Sequence, residues 1–394
     1  MCKEKTSMKD KNNNLENAAI VISDDHYNAL GMIRSLGENG IPVFLILMTH
    51  DKNTYVDKSK YVTQKYFVEK EETSILSKID EISKGEFNYY IFPLSDFSAN
   101  IIDKHCSWFK NNIVVPHANG SLSKFLDKSI SKELAQSCGL HTAKSVCCNI
   151  NDSDISWDSY PAIVKPLVSL EGAKSDIRIV NDKEELQTTL YDLSLKLYNR
   201  VLIEEYICGS DECMLEVMGC STPSDVYYAG IIQKIREYPL KCGSTSFAKI
   251  VDNHDAISYE NISLYLKKIG YSGLFDIELK YANGKAYFIE CNFRNGAPGY
   301  AFTRVGKCIP LMWMCALNEE EYFDESSELG RECYFMCEQT DFLHVLKKNI
   351  KYTEWIKDYR KSNKIFVSKK DRRPSRKYFM IMLSVAAKKI FRKR

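Results

Sequence analysis

The stretch from Ser272 to Gly299, SGLFDIELKYANGKAYFIECNFRNGAPG, constrains the fold of this chain more than any other. Its alternation reads as two strands joined by a turn. Phe275, Ile277, Leu279 and Tyr281 fall on one face of the first strand, and Asp276, Glu278 and Lys280 on the other, because successive side chains of a strand point to opposite sides. In the second strand Tyr287, Ile289, Cys291 and Phe293 form an apolar row against Phe288, Glu290, Asn292 and Arg294. Asn283-Gly284 marks the turn. A two-residue Asn-Gly turn pairs Ala282 with Lys285 and sends Glu278 and Glu290 to opposite faces. A three-residue Ala282-Asn283-Gly284 loop pairs Tyr281 with Lys285, sets Glu278 opposite Phe288 and diagonal to Glu290, and leaves Asn292 on that same face.

Two carboxylates and an amide oxygen on one sheet face, with an arginine beyond, are hard oxygen ligands of the kind Mg²⁺ takes beside nucleotide phosphates. A solvated hairpin face is the bland alternative. The spacing, together with E-x-N-x-R at Glu290, Asn292 and Arg294, resembles the metal-binding strand of the ATP-grasp enzymes, among them biotin carboxylases, D-alanine ligases and the large subunit of carbamoyl-phosphate synthases. The resemblance implies that Glu278, Glu290 and Asn292 hold the magnesium ions, with Mn²⁺ as an alternative, that bridge the ATP phosphates. Sharing metal requires both carboxylates on one face. The three-residue loop or an equivalent bulge is therefore expected, with positive φ at Gly284.

At 394 residues the chain has room for two or three domains and a sizeable core. Its net charge of +2 is unevenly placed: Lys369 to Arg394 carry eleven Lys or Arg and one Asp, a net of +10, so the remainder is near −8. That balance argues against a general nucleic-acid binder. The polar segment 1–17 is read as a disordered tail without the apolar core of a signal peptide, and no apolar run reaches the roughly 20 residues that span a bilayer. Fourteen scattered cysteines without a C-x-x-C suit reduced thiols in a cytoplasmic protein better than zinc or a disulfide framework.

Along the chain, AAIVIS (Ala18 to Ser23), a helix from Ala29 to Leu36, and IPVFLILM (Ile41 to Met48) predict a parallel βαβ unit. The turn from Ser23 to Asn28 has no glycine, which sets aside a dinucleotide fingerprint. Further strands are expected at Tyr89 to Phe92 and Ile113 to Val115. Asp96 follows the first of these, facing substrate or capping the next helix. Asp127-Lys128 opens a helix over Ser129 to Ser137, closed at Gly139. In YPAIVKP, Tyr160 to Pro166, the lone Lys165 is costly to bury without an anion. Tyr227 to Ile235 reads as a strand, and alternation puts Lys234 and Arg236 on one face. Ile257 to Gly270 is an amphipathic helix. Tyr378 to Ala387 is apolar between basic flanks, which suits an interfacial helix drawn to anionic lipid or a docked C-terminal helix.

The ATP-grasp resemblance covers roughly Ser121 to Asn318 and implies an α/β (α+β) fold. Its expected parts are an N-terminal parallel α/β domain over 18–120, the nucleotide module over 121–318, and an extension over 319–394 with a basic amphipathic tail. It implies Lys128 and Lys165 on the ATP phosphates, and a flap over Ser169 to Ser175 with Gly172 and Lys174. VLIEEYI, Val201 to Ile207, resembles the adenine hinge: Glu204 or Glu205 accepts from the adenine amino group and the backbone at Tyr206 and Ile207 reads the ring edge. Asp211, with Glu212 as the alternative, binds the ribose. Lys234, Arg236 and Arg294 meet the γ-phosphate or a substrate carboxylate. ECNFRNGAPGYAFTRVGKCIP, with ALGMIRSLGENGIPV upstream, is most similar to carboxylate–amine ligases related to D-aspartate ligase. The implied reaction forms an amide from small-molecule carboxylate and amine substrates through an acyl phosphate, with an amino acid or cell-envelope precursor among the expected substrates. A carboxylase-type use of the acyl phosphate and a non-catalytic ATP-binding regulator at a membrane are the alternatives.

Overall fold

The computed structural model describes residues 15–150, 152, 155–167, 176–196, 198–240, 243–320 and 332–391. Strands β1 (Glu16–Ser23), β2 (Val43–Met48), β3 (Val62–Val68), β4 (Phe87–Pro93) and β5 (Ile113–Val114) form a parallel sheet in the order β3-β2-β1-β4-β5. Helices α1 (Tyr27–Glu38), α2 (Glu72–Ile82) and α3 (Asp96–Lys104) connect them. The continuous apolar runs of β1 and β2 follow from burial on both faces. Val21, Leu45 and Phe92 pack on the α1 side, whereas Ile20, Ile46 and Ile91 pack against Ile75, Ile79 and Ile101 on the other. Ser95, not Asp96, caps α3: its hydroxyl accepts from the Ser98 N–H at 3.2 Å. That leaves the Asp96 carboxylate free for another partner.

After α4 (Leu122–Phe125), helix α5 (Lys128–Ser137) begins at Asp127, whose carboxylate accepts from the Ser129 and Ile130 N–H groups. Strand β6 (His141–Thr142) runs to the edge of the largest sheet. A four-stranded antiparallel sheet then combines β7 (Ser145–Asn149), β8 (Ala162–Pro166), β9 (Arg178–Val180) and β10 (Arg200–Glu205) in the order β7-β10-β8-β9. One face buries Val164, Val201 and Ile203 under α6 (Lys183–Ser194). By the period of two, Lys165, Leu202 and Glu204 lie on the other face.

The eight-stranded sheet contains β11 (Met214–Ser221), β12 (Val226–Tyr238), β13 (Ser244–Val251), β14 (Gly273–Ala282) and β15 (Lys285–Asn292), with α7 (Tyr259–Ile269) packed on it. Helices α8 (Tyr300–Arg304) and α9 (Ile309–Leu317) join it to the N-terminal sheet. Wholly buried Trp313 of α9 meets the rings of Tyr90 and Phe92, at 6.1 and 5.7 Å. Removing such a side chain costs about 3–5 kcal/mol, so the two regions share one core.

The β14–β15 hairpin reaches the expected parity by the second of the two expected routes, a bulge. Asn283 and Gly284 both have positive φ, 50° and 77°, in a tight two-residue turn, and Ala282 pairs with Lys285. The three-residue loop does not form. Instead the ladder shifts between Leu279↔Phe288 and Glu278↔Glu290, leaving Ile289 as the extra residue of a β-bulge. Glu278 therefore lies directly opposite Glu290, not diagonal to it, and Asp276 lies opposite Asn292. The bulge also breaks the expected apolar row: Ala286 and Phe288 join Cys291 and Phe293 in the core, while Tyr287 and Ile289 are only half-buried.

The C-terminal segment is woven into the same body. β16 (Cys333–Met336) and β17 (Ser362–Lys364) extend the sheet beyond β13, with α10 (Glu338–Leu346) and α11 (Tyr352–Lys361) between them and α12 (Arg373–Phe391) last. A further bulge at Ile235 turns Arg236 away from Lys234 and toward this segment. Its guanidinium donates to Asp341 at 2.9 and 3.1 Å and to Asp358 at 2.7 Å. The expectation that Lys234 and Arg236 share a face is thereby corrected, and Arg236 is placed as an internal clamp. Breaking a buried pair costs about 3–5 kcal/mol because it strands the remaining charge. Arg236→Met should lower the urea midpoint accordingly, while nucleotide affinity of the folded protein stays at the wild-type value.

Candidate functional site

Three strands bring a row of carboxylates together. Glu216 on β11 pairs with Glu278 on β14, which pairs in turn with Glu290 on β15. The Lys234 ammonium sits among them, 3.3 Å from Glu216, 3.4 Å from Glu278 and 3.9 Å from Glu237. Burial works against the charge of Lys234, but these three carboxylates outweigh it and hold its pKa above the ordinary lysine range. Lys128, at the start of α5, lies 3.8 Å from Glu290. Burial lifts the Glu216 carboxyl, although Lys234 and Thr245 oppose the shift. It lifts Asp276 further, aided by Glu216 and Glu278.

A second charged group belongs to the smaller sheet. Lys165 of β8 lies 2.5 Å from the Glu204 carboxylate of β10, and Lys132, one turn beyond Lys128 on α5, reaches the same carboxylate. All three side chains are nearly inaccessible to water. Burial opposes ionisation of Glu204, yet Lys165 and Lys132 overcome it and hold its pKa below the usual range. Burial lowers the Lys132 pKa despite Glu204. With all three ionised, two ammonium groups share one carboxylate and leave an excess charge of +1. Glu204, one of the two carboxylates expected at the adenine amino group, is the counter-ion of both lysines.

Residues of the N-terminal sheet and its helices complete the site. Arg294, just beyond β15, donates to Asp96 at 2.8 Å and to the Asn292 amide oxygen at 3.0 Å. Asn28 and Asn295 exchange hydrogen bonds at 3.0 and 2.8 Å. A cleft of ≈ 560 Å³ runs from Asp24, His26 and Lys70, beside the N-terminal sheet, to Glu216, Glu278, Glu290 and Asn292.

The oxygen set fits a Mg²⁺ ion that also takes phosphate oxygens. Glu278 and Glu290 face each other, the Asn292 oxygen retains a lone pair beside the one Arg294 uses, and Asp276 Oδ1 is buried without a hydrogen-bond partner. Among the described residues no three Asp, Glu, His or Cys side chains converge into a complete cage. A shell completed by substrate phosphates is characteristic of Mg²⁺.

The expected hinge and ribose positions do not line this cleft. The Tyr206 N–H is bonded to the Pro161 carbonyl at 3.0 Å, and Glu205 is exposed. Asp211 accepts from the Glu237 N–H at 3.2 Å, whereas the Glu212 side chain is exposed and only its carbonyl is engaged, by Gln233. Lys280 donates to the Gly209 and Ser210 carbonyls, which fixes the loop leading to Asp211. Gly172 and Lys174 lie outside the described residues. Sequence reading missed Lys132 and Glu216. Lys132 was legible as the i+4 neighbour of Lys128 on one helix face. Glu216 is identified only by the pairing of β11 with β14.

In sequence the chain is similar to a D-aspartate ligase of Enterococcus faecium, 22% identical over 257 residues that cover 60% of this chain and 60% of that protein. It is also similar to a D-alanine–D-alanine ligase of Fusobacterium nucleatum, 25% identical over 183 residues, 43% of this chain and 57% of that protein. The chain thus spans about 60% of the length of the curated relatives it matches. In structure it is similar to N5-carboxyaminoimidazole synthetase from Staphylococcus aureus complexed with ADP, with a TM-score of 0.65 at 14% identity over 87% of each chain. No family model matches the chain.

The placement of Glu204 has a measurable consequence. Glu204→Gln leaves two buried lysines without their anion, so unfolding should be easier by about 3–5 kcal/mol, the range for a broken buried pair. A hinge acceptor exposed to the nucleotide would leave stability unchanged, and thermal melts without nucleotide separate the two outcomes.

Proposed function

We propose that this chain, which belongs to the ATP-grasp superfamily, is an ATP- and Mg²⁺-dependent carboxylate–amine ligase that forms ADP. The observation that carries the reading is the direct pairing of Glu278 with Glu290 in a cleft reached by Lys128 and Arg294. In the proposed reaction a substrate carboxylate oxygen attacks the γ-phosphorus of ATP. The bond to the bridging oxygen breaks with its electrons on ADP, and an amine then opens the acyl phosphate, releasing phosphate. The relatives' names, a D-aspartate ligase and a D-alanine–D-alanine ligase, support an amino acid or a related small molecule as one substrate.

Phosphoryl transfer asks the protein for positioning and charge neutralisation more than for a nucleophile. Glu278, Glu290 and Asn292 would hold Mg²⁺, which when bound neutralises charge developing on the phosphates. Lys165 and Lys132, oriented by Glu204, would bring positive charge to the same phosphates. Arg294 is held in line by Asp96 and faces the cleft, suited to a substrate carboxylate or the γ-phosphate. Lys234, 3.4 Å away, holds the Glu278 carboxylate in place. The backbone at Ile207 would read the adenine edge, since the Tyr206 N–H is already used, and Asp211 or Glu212 would bind the ribose.

Glu290→Gln keeps the size of the side chain and removes one metal-facing charge. It should abolish Mg²⁺-dependent ADP formation with the melting temperature unchanged or slightly raised, since a repulsive contact with Glu278 is lost. Glu278→Gln should act the same way less severely. Normal turnover by a folded Glu290→Gln protein, measured as ADP release with amino acids and amines, would remove the ligase reading. Lys165→Ala should weaken ATP binding by about 1.5–3 kcal/mol, the range for hydrogen bonds to charged groups, as read by calorimetric titration.

A further inference from the structure

The last helix carries a surface that the ligase chemistry does not use. Its first turns are fastened to the body. Tyr378 packs against the rings of Tyr55 and Phe366, at 5.4 and 4.6 Å, Ile381 packs on the core, and Lys377 donates to Asn53 at 2.6 Å. Just upstream, buried Asp371 accepts from Arg34 at 3.0 Å, from the Ser59 hydroxyl and from the Lys60 N–H. At Lys377, Tyr378 and Ile381 one side of α12 is therefore already docked on the protein.

Between these anchors and beyond them the helix exposes apolar side chains. Phe379 is 58% exposed and Leu383 71%, with Met380 and Met382 also exposed. At about 100° per residue these four side chains cover an arc of about 160°, turned away from Tyr378 and Ile381. Exposed Lys369, Lys370, Arg372, Arg373 and Arg376 lead into this arc. Lys388, Lys389, Arg392, Lys393 and Arg394 follow it in the sequence. The single acid of the segment, Asp371, is already paired with Arg34.

We propose that α12 is an interfacial helix that seats Phe379, Met380 and Leu383 in an anionic lipid surface, with the flanking Lys and Arg on its headgroups. Among the described residues no helix is long and apolar enough to cross a membrane, so α12 lies on the surface. Charge selects this occupant. A second copy of the chain would bring two segments of net +10 together. Nucleic acid would satisfy the charge and leave the apolar arc in water. An anionic bilayer satisfies both. Because the first turns of the helix pack on the body, docking would bring the cleft close to the membrane.

The test is co-sedimentation of the full-length protein with vesicles of phosphatidylcholine alone or mixed with phosphatidylserine. The protein should pellet with the mixed vesicles and be released by salt. Phe379→Asp combined with Leu383→Asp should lower the bound fraction about tenfold or more without lowering the melting temperature, since neither side chain packs on the body. Lys369→Glu combined with Lys370→Glu should weaken binding and flatten its salt dependence. Equal vesicle binding by the wild type and the Phe379/Leu383 variant would overturn the proposal, as would absence of binding to mixed vesicles. A lipid-free dimer that the same variant converts to monomer would overturn it in favour of a second copy.

Discussion

One extra residue, Ile289, sets the arrangement on which the site depends. The Asn283-Gly284 turn alone would hold Glu278 and Glu290 on opposite faces, one of them in the core. The bulge restores parity and makes them direct cross-strand neighbours. Like charges in that relation destabilise a sheet, on the order of 3 kcal/mol at about 5 Å and an effective dielectric of about 20. Lys234 and Lys128 offset part of that repulsion from either side. A divalent cation between the carboxylates would reverse its sign, which is why this costly placement suits a metal-binding strand better than a structural one.

The two sheets carry complementary charge. The larger presents Glu216, Asp276, Glu278 and Glu290 with Lys234 among them, and the smaller presents two lysines on one carboxylate. Neither group is balanced within itself. Buried ion pairs are weak stabilisers because desolvation consumes most of the attraction, so these clusters are poorly explained as devices for stability. A polyphosphate with its metal supplies what each lacks: anionic oxygens for the lysines and a cation for the carboxylates. Arg294, tied to Asp96, makes the N-terminal domain part of that arrangement and carries positive charge to the acceptor end of the cleft.

The C-terminal segment holds the assembly from outside. Arg236 fastens β12 to α10 and α11, Arg34 fastens α1 to the residue pair Asp371 and Phe366, and Glu338 accepts from the Phe366 and Val367 N–H groups. Each contact joins residues far apart in the chain. The basic helix α12 thus leaves a body whose N-terminal sheet, nucleotide sheets and extension are braced against one another.

Local pattern was enough to determine the strands and helices that surround the site, because period and capping are properties of neighbouring residues. The βαβ start, the α5 helix at Asp127-Lys128, the lysine strand ending at Pro166 and the β14–β15 hairpin all follow from alternation, caps and turn residues. Glu278, Glu290, Asn292 and Arg294 were legible for the same reason, as a spacing on two adjacent strands. Partners were decided only by tertiary structure. Glu204 reads as a free acid at a strand's end, and nothing local shows two lysines converging on it from α5 and β8. Lys234 and Arg236 share a face by alternation until a bulge at Ile235, stabilised by Asp341 and Asp358 more than a hundred residues away, turns one into the site and the other out of it. Strand period is written in consecutive side chains, but a bulge and a buried counter-ion are set by which distant segments pack together.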